Sequence, residues 1–338
     1  MRIATSYHDF DVYIDVRSPS EYTHSHIPNA YNIPVLNDNQ FKFIGTLYKK
    51  NTMQAQIIGA SLACENIAAI LKKITQEKTM QDIFQHKNKI LIYCARGGKR
   101  SQALYEVLNN LNFQVYKLQE GYKGYRNEIL KELEASYSFI TLCGPTGCGK
   151  SELLQNLSPH SIDLENLAHH YGSSFGHLAT QKLGDQPTQK MFENTLAKAL
   201  YNKKNTPLFI EAESKKIGNL IIPAQIFTQY QNTTKILITA PLQQRIERII
   251  KLYHPIQEQD FLQAMQKIKP YISNKIFQSV ITSWKQNQLH NVAELLITQY
   301  YDKVYKKSTY HHHIYNDNIE KSIQQLQDIA KSTSAFKY

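Results

Sequence analysis

Long hydrophobic runs are absent from these 338 residues. No apolar segment approaches the ~18–20 residues that cross a bilayer, and the first six residues contain no apolar stretch typical of a secretory signal. The four cysteines show no spacing typical of a disulfide framework or of a zinc site. We therefore expect a cytoplasmic protein with reduced thiols and no membrane partner.

Acidic side chains are in short supply, because 28 Asp and Glu stand against 39 Lys and Arg and leave a formal net charge of +11. A surplus of this kind favours a polyanionic partner, since neutralisation of phosphates by Lys and Arg drives nucleic-acid binding. A basic isoelectric point without such a partner is the alternative. Hydrophobic residues make up 42% of the chain and charged residues 20%, which excludes disorder over most of its length.

The hydrophobic pattern is typical of an α/β fold. Short apolar runs predict buried strands at 12–16, 90–93 and 113–118 in the first half, and at 139–143, 161–163, 208–210 and 235–238 in the second. Helical patterns separate these runs, which indicates sheets of parallel type.

The length suits two α/β domains, which we place at 1–132 and 137–338 with a charged helical connector within 127–136. Beyond about residue 250 the pattern is helical, so we expect a helical C-terminal part in the second domain. The three histidines at 311–313 are expected on a solvated loop or helix face rather than at a metal.

Cys94 stands at the end of a predicted strand and just before a predicted helix. Backbone amides of the connecting loop, together with the helix N-terminus, would form a nest for anions and would favour the thiolate over the thiol. We predict Cys94 as the catalytic nucleophile, and a buried structural cysteine is the alternative. The predicted nest residues are two glycines and three cations: Arg96, Gly97, Gly98, Lys99 and Arg100.

Two chemistries suit a thiolate in such a nest. It can carry sulfur or selenium, or it can attack a phosphate ester. The five residues between Cys94 and Arg100 match the spacing of cysteine-dependent phosphatases, but Tyr93 stands where those enzymes have histidine.

A second phosphate-binding pattern begins at Gly144. The segment Gly-Pro-Thr-Gly-Cys-Gly-Lys-Ser at 144–151 fits the Walker A motif, after a predicted strand and before a helix. We expect its amides to hold phosphates, with Lys150 adding a charge and Ser151 within reach of a Mg²⁺ ion. The predicted phosphate-binding residues are Gly144, Gly147, Gly149, Lys150 and Ser151.

Carboxylates and arginines follow later strands of this second domain. Glu211 and Glu213 close an apolar strand as in a Walker B motif, and they could orient water or a metal, although no metal site is certain from the sequence. A solvated carboxylate at a strand end is the alternative. Arg245 and Arg248 are placed like the phosphate-clamping arginines of small-molecule kinases, or they belong to a basic helix face.

Longer motifs in both halves resemble one family. The segment 15–34, beginning Asp-Val-Arg-Ser-Pro, is similar to the opening of a rhodanese domain. Cys-Ala-Arg-Gly-Gly-Lys-Arg-Ser at 94–101 resembles the active loop of the tRNA 2-selenouridine synthases, one residue longer than in ordinary sulfurtransferases. The segments 45–49, 163–168, 172–176, 186–194, 211–214, 217–218 and 222–223 are similar to the same family.

The resemblance implies a rhodanese-like domain followed by a P-loop domain and a role in modifying the tRNA wobble uridine. Family members convert 2-thiouridine to 2-selenouridine through an S-geranylated intermediate, with selenophosphate and geranyl diphosphate as substrates. No tightly bound cofactor is implied, although Mg²⁺ is compatible with the P-loop. Asp163, His170, Gln186 and Gln189 lie in the shared motifs and are candidate substrate contacts.

The chain departs from the family pattern at several positions. Ala95 replaces a tryptophan, and His169 and Tyr171 replace an asparagine and an arginine beside His170. A P-loop kinase or NTPase fused to a phosphatase-like or sulfurtransferase-like rhodanese module is the alternative function. A non-catalytic rhodanese used for binding is a third class, which the presence of Cys94 disfavours.

Overall fold

The computed structural model describes residues 1–305 and 308–335. These residues form two compact units, one comprising Met1–Glu132 with Glu193–Lys198, the other Leu133–Phe192 with the described residues from Ala199 onward. Within the described residues, no helix is both long enough and apolar enough to cross a membrane.

The elements up to Leu133 belong to a five-stranded sheet and its flanking helices. Its strands are β1 (Ile3–Ala4), β2 (Val12–Asp15), β3 (Tyr31–Asn32), β4 (Ile90–Tyr93) and β5 (Val115–Leu118). The helices are α1 (Pro19–His24), α2 (Asp38–Lys50), α3 (Thr52–Gln76), α4 (Lys78–Ile83), α5 (Lys99–Asn110) and α6 (Gly121–Leu133).

This first sheet is parallel throughout, in the order β1-β5-β4-β2-β3. Strand β4 is central and every one of its residues is buried, which explains why it appears in the sequence as an uninterrupted apolar run. The carboxyl ends of parallel strands meet at one edge, so Cys94, directly after β4, lies at that edge.

The described residues after Leu133 form seven strands: β6 (Ser138–Cys143), β7 (Ser161–Ile162), β8 (Pro207–Glu211), β9 (Lys216–Ile217), β10 (Leu220–Ile221), β11 (Thr234–Thr239) and β12 (His312–Tyr315). The first helices are α7 (Lys150–Asn156), α8 (Leu164–Leu167), α9 (Thr180–Leu183), α10 (Gln189–Leu200) and α11 (Ala224–Gln231). The later ones are α12 (Leu242–Tyr253), α13 (Glu258–Ile268), α14 (Asn274–Lys285), α15 (Leu289–Leu296), α16 (Asp302–Val304) and α17 (Ile319–Ala335). A π-helical turn at Ile297–Tyr301 joins α15 to α16.

The second sheet is also parallel, in the order β12-β11-β6-β8-β7, with β9 and β10 forming a separate antiparallel hairpin. The predicted α/β fold class, with a mostly helical C-terminal part, is confirmed. One detail is wrong, because the histidine segment expected on a loop or helix face forms β12, whose register pairs Ile236 with His312. An edge strand needs to bury only one side, and here Ile314 is buried while its neighbours are exposed.

The described residues of the second unit include two large hydrophobic cores. One lies beneath the sheet and includes Ile140, Leu154 and Leu326. The other belongs to the helices between β11 and β12 and includes Phe261 and Leu296. This helical core places α12 and α15 beside the segment that follows β6.

Candidate active sites

Cys94 lies in the turn between β4 and α5, and its side chain is almost fully buried. Its Sγ accepts a hydrogen bond from the Gly98 amide at 3.1 Å and lies 3.2 Å from Ser101 Oγ. Gly98 is the N-cap of the twelve-residue helix α5, so the sulfur also lies at the positive end of a helix dipole. This is a donor arrangement that holds anionic groups.

Two glycines give the loop its shape. Gly97 has φ of +63° and Gly121 of +58°, a region that favours glycine. A Cβ on Gly121 would lie 2.2 Å from the Cys94 carbonyl oxygen. The same carbonyl accepts a hydrogen bond from the Tyr122 amide at 2.8 Å. The segment after β5 therefore packs against the Cys94 loop. Gly121 allows this close contact, and it was not among the residues predicted from the sequence.

The three cations predicted in the nest differ from one another in exposure and in contacts. Arg100 donates to both Glu21 carboxylate oxygens, at 2.5 and 3.2 Å, and its Cζ lies 4.5 Å from the centre of the Phe41 ring. Arg96 and Lys99 are exposed. Although burial alone would raise it, the pKa of Glu21 is lowered by this contact with Arg100. A role for the three cations in holding an anion stays a prediction.

The opening motif at 15–34 is organised by a buried ion pair. Arg17 donates to both carboxylate oxygens of Asp15, at 2.6 Å for Nη2 to Oδ2, and to the Ser25 carbonyl at 2.7 Å. The guanidinium also lies 4.0 Å from the centre of the Tyr122 ring. These contacts fix the chain after β2 within the first unit, so the motif is explained by structure without a catalytic role for Asp15 or Arg17.

The P-loop connects β6 to α7. Gly144, Gly147 and Gly149 have φ of +154°, +81° and +94°. A Cβ on Gly144 would lie 2.3 Å from the Ile238 carbonyl oxygen. Lys150 Nζ donates to the Gly144 carbonyl at 2.9 Å, so the lysine folds back across the loop. Ser151, the second residue of α7, is half-buried.

Three carboxylates gather at the end of β8. One oxygen from each of Glu165, Glu211 and Glu213 lies within 4.8 Å of the others. Glu211 is fully buried, its Oε1 accepts from the Glu165 amide at 2.7 Å, and its Oε2 has no partner among the described residues. Gly172 closes over the cluster, since a Cβ there would lie 2.3 Å from Glu165 Oε1. Asp163 caps α8 by accepting from the Asn166 amide at 2.9 Å.

The buried carboxyl groups of this cluster raise one another's pKa. Burial raises the pKa of Glu211 well above its ordinary value, and the neighbouring Glu165, Asp163 and Glu213 raise it further. Burial also raises the pKa of Glu165 and of Glu213. Burial opposes a high pKa at Lys150, but the surrounding thiol and carboxylates outweigh it and the pKa is raised. Carboxylate oxygens in this number form a ligand set suited to Mg²⁺.

Glu211→Gln is expected to flatten the pH dependence of stability. A carboxyl whose pKa is raised on folding stabilises the fold at low pH, and this contribution is lost as pH rises above the unfolded value of 4.5. In chelator, the melting temperature of the wild type should fall as pH rises from 4.5 through the raised pKa of the folded state, and it should fall less in the variant. Thermal unfolding at several pH values measures this dependence. At high pH, Mg²⁺ should raise the melting temperature of the wild type but not that of the variant.

Glu320→Gln is the matched control, because Glu320 is an exposed carboxylate of α17 in the same unit. It should reproduce the pH slope of the wild type. Equal slopes for Glu211→Gln and Glu320→Gln would contradict the assignment of the titration to the buried cluster.

Arg245 and Arg248 both lie against the P-loop. Arg245 Nε donates to the Thr146 carbonyl at 2.9 Å, and its Nη atoms pair with Asp302 at 2.6 and 3.0 Å. Arg248 Nε donates to Glu152 at 3.1 Å, while its buried Nη1 has no partner among the described residues. A Cβ on Gly149 would lie 3.3 Å from Arg248 Cζ. Arg248 therefore retains a free donor beside the loop, whereas Arg245 braces it.

Asn316, just after β12, is a contributor that the sequence interpretation did not include. Its Nδ2 donates to the Cys148 carbonyl at 3.0 Å, and its backbone amide donates to the Thr239 carbonyl at 2.7 Å. The residue is completely buried. A polar residue following an edge strand gives no pattern in the sequence, because its partner lies far away in the chain.

The two glutamines predicted as substrate contacts, Gln186 and Gln189, bind the hairpin β9–β10. Gln186 donates to the Ile217 carbonyl at 3.0 Å and accepts from the Asn219 amide at 2.8 Å. Gln189 makes the equivalent pair with Ile221 at 2.8 and 2.9 Å. His170 lies beside the hairpin, since a Cβ on Gly218 would be 2.8 Å from its ring. These contacts give Gln186 and Gln189 a structural role, and their contact with substrate stays a prediction.

Both halves of the chain match known protein families. Residues 4–128 match the rhodanese-like domain family, and residues 137–279 match the tRNA 2-selenouridine synthase AAA domain. The predicted rhodanese and P-loop resemblances are thereby confirmed.

Similar proteins from three bacteria are named tRNA 2-selenouridine synthase. A tRNA 2-selenouridine synthase of Hydrogenovibrio crunogenus is 31% identical over 327 residues, covering 86% of this chain and 87% of that protein. One of Shewanella denitrificans is 30% identical and covers 86% of each chain. One of Nitrosomonas europaea is 34% identical over 249 residues, covering 71% of this chain and 63% of the relative.

Proposed function

Because the chain belongs to the family of tRNA 2-selenouridine synthases, we propose that it modifies the wobble uridine of tRNA, replacing the sulfur of 2-thiouridine by selenium. The observation that carries this proposal is the presence of two separate glycine-shaped loops, each followed by a helix, one around a buried thiol and one at the end of β6. The net charge of +11 supports tRNA as the partner.

The two loops suit two successive steps. In the first, the thiocarbonyl sulfur attacks C1 of geranyl diphosphate, the C1–O bond breaks, and pyrophosphate leaves with the electron pair as the uridine loses its N3 proton. The selenium of selenophosphate then attacks C2, the C2–S bond breaks, and the alkylated sulfur takes up a proton and departs as geranylthiol. Cleavage of the Se–P bond by a nucleophile then removes the phosphoryl group and leaves 2-selenouridine. Alkylation matters because an unmodified thiocarbonyl sulfur is a poor leaving group.

Residues of the P-loop suit the first step. The amides of 144–151, Lys150 and the free donor of Arg248 would receive the leaving pyrophosphate and stabilise its developing charge. The orphaned Glu211 Oε2 and its neighbouring carboxylates fit a Mg²⁺ ion. When bound, such an ion would neutralise charge on the diphosphate.

Residues of the first loop suit the second step. The Gly98 amide and Ser101 hydroxyl converge on Cys94 Sγ, and the α5 N-terminus adds a positive field. We assign selenophosphate to this loop, with Cys94 as the nucleophile that takes the phosphoryl group from selenium and as its carrier until water releases it as phosphate. Arg96 and Lys99 are exposed beside it and are available to meet the phosphate group.

Purified protein, 2-thiouridine tRNA and geranyl diphosphate should yield geranylated tRNA without ATP, because the donor itself supplies the diphosphate. Nucleoside mass spectrometry measures the product, and added selenophosphate should convert it to 2-selenouridine. The matched control is tRNA lacking the 2-thio group, which should remain unchanged. ATP hydrolysis or phosphotransfer without any geranylated nucleoside would instead favour a P-loop kinase or NTPase.

A further inference from the structure

An apolar cavity of about 200 Å³ lies among the helices between β11 and β12. Its walls come from α12, α13, α14, α15 and the π-helical turn, with Phe261, Trp284 and Leu296 among the lining side chains. Thr146 of the P-loop also lines it. The cavity therefore adjoins the loop that would hold a phosphate group.

Helix α12 contacts both the P-loop and the apolar cavity. Arg245 and Arg248 near its start contact the P-loop, whereas Ile249 and Tyr253 line the cavity. Residues 245, 249 and 253 are spaced by four and so share one face of the helix. At 1.5 Å per residue, this face runs about 12 Å from the P-loop end to the apolar end. A ligand that fits both the P-loop and the cavity must be anionic at one end and apolar at the other.

The tyrosine hydroxyls of the wall have a hydrogen-bond partner that does not line the cavity. Tyr253 Oη lies 3.1 Å from Ser173 Oγ, and the Tyr301 hydroxyl also pairs with Ser173. His254 and Asn287 are exposed. A nucleobase buried here would leave its ring nitrogens and exocyclic groups without partners, which is costly. A hydrocarbon chain has no such requirement.

Cavity size favours a short chain. A dry apolar cavity of about 150 Å³ accepts the six carbons of benzene. By proportion, 200 Å³ suits about eight carbons, which is closer to a ten-carbon chain than to a fifteen-carbon chain. The π-helical turn at Ile297–Tyr301 forms part of the wall, and such turns occur often at functional sites.

We propose that this cavity holds the ten-carbon isoprenoid chain of geranyl diphosphate while Gly144–Ser151 holds its diphosphate, so that the cavity walls select the chain length of the donor. The proposal rests on the geranylation put forward above. Leu296, on α15, is a specificity-determining residue in this arrangement, because its side chain occupies cavity volume that a longer chain would need.

Trp284 provides a direct readout, since it is the single tryptophan of the chain and lines the cavity. Geranyl diphosphate added to the full-length protein should change its fluorescence saturably. Inorganic pyrophosphate should compete with that change and produce none by itself. A change on adding ATP but none with geranyl diphosphate would overturn the proposal.

Leu296→Ala should enlarge the cavity and shift donor preference. The ratio of kcat/KM for farnesyl diphosphate to that for geranyl diphosphate should rise at least about tenfold, since a single methylene can alter selectivity by that factor. The matched control is Leu252→Ala, which truncates a leucine of the same hydrophobic cluster that does not line the cavity. Its ratio should equal that of the wild type.

Ala293→Leu gives the reverse test by filling the cavity from α15. It should raise the KM for geranyl diphosphate at least about tenfold and leave conversion of geranylated tRNA to 2-selenouridine unchanged. Geranylation by the wild type with unaltered donor preference in both variants would refute the cavity assignment alone. A wild type that forms no geranylated tRNA would refute the proposed function itself.

Discussion

Cys94→Ala is expected to lower 2-selenouridine formation by at least about a thousandfold while geranylation of 2-thiouridine tRNA persists, because removal of a nucleophile eliminates its step. The substitution deletes one sulfur atom at a buried position and leaves the glycines that shape the loop intact. Nucleoside mass spectrometry after separate incubations with each donor measures both products.

The control for Cys94→Ala is Cys64→Ala. Cys64 is an exposed free thiol on α3 of the same unit, so its removal tests for a general loss of thiol chemistry. It should leave both products at wild-type levels. Undiminished 2-selenouridine from Cys94→Ala would exclude Cys94 as carrier or nucleophile and leave the loop as an anion-binding element only.

Lys150→Ala should reduce geranylation by roughly ten- to a hundredfold. The variant loses one charge-assisted contact to a diphosphate that is bound and then departs, which is worth about 1.5–3 kcal/mol. tRNA that is already geranylated should still be converted to 2-selenouridine, because the Cys94 loop is unaltered. Supplying the two substrates separately distinguishes the half-reactions.

Lys150 also balances the buried carboxylates, so folding must be measured alongside activity. Removal of this charge leaves Glu211 and Glu165 without their nearby cation, and thermal unfolding will show the cost. Lys203→Ala is the control, because Lys203 Nζ donates to the Pro159 carbonyl away from the P-loop. Equal loss of both half-reactions in a folded Lys150→Ala protein would show that the P-loop serves both steps.

Apolar strands and glycine-rich loops could be predicted from sequence because their constraints are local. The run at 90–93 is buried on both faces, and the Walker A glycines adopt positive φ that few other residues tolerate. The same reasoning failed for β12, where an edge strand carries exposed histidines and only Ile314 is buried. Hydrophobic periodicity gives little information where one face remains in water.

Side-chain partners far apart in the chain could not be predicted. Arg100 is predicted as a residue of the anion nest, but its pairing with Glu21, 79 positions away, could not be predicted. Glu165 lies in a recognised motif, but its place among the carboxylates depends on β8 bringing Glu211 beside it. The apolar cavity next to Thr146 results from helices that the sequence indicated only as a helical region.

The hydrogen bond from Asn316 to the Cys148 carbonyl forms late in synthesis of the chain. The two residues are 168 positions apart. At about 5–20 residues per second, the ribosome needs roughly ten to thirty seconds to make the intervening chain. A nascent chain therefore displays the Walker A segment well before that carbonyl gains its partner and before β12 covers the edge of β11. In the proposed function, the diphosphate donor therefore meets a complete P-loop only after β12 has left the ribosome.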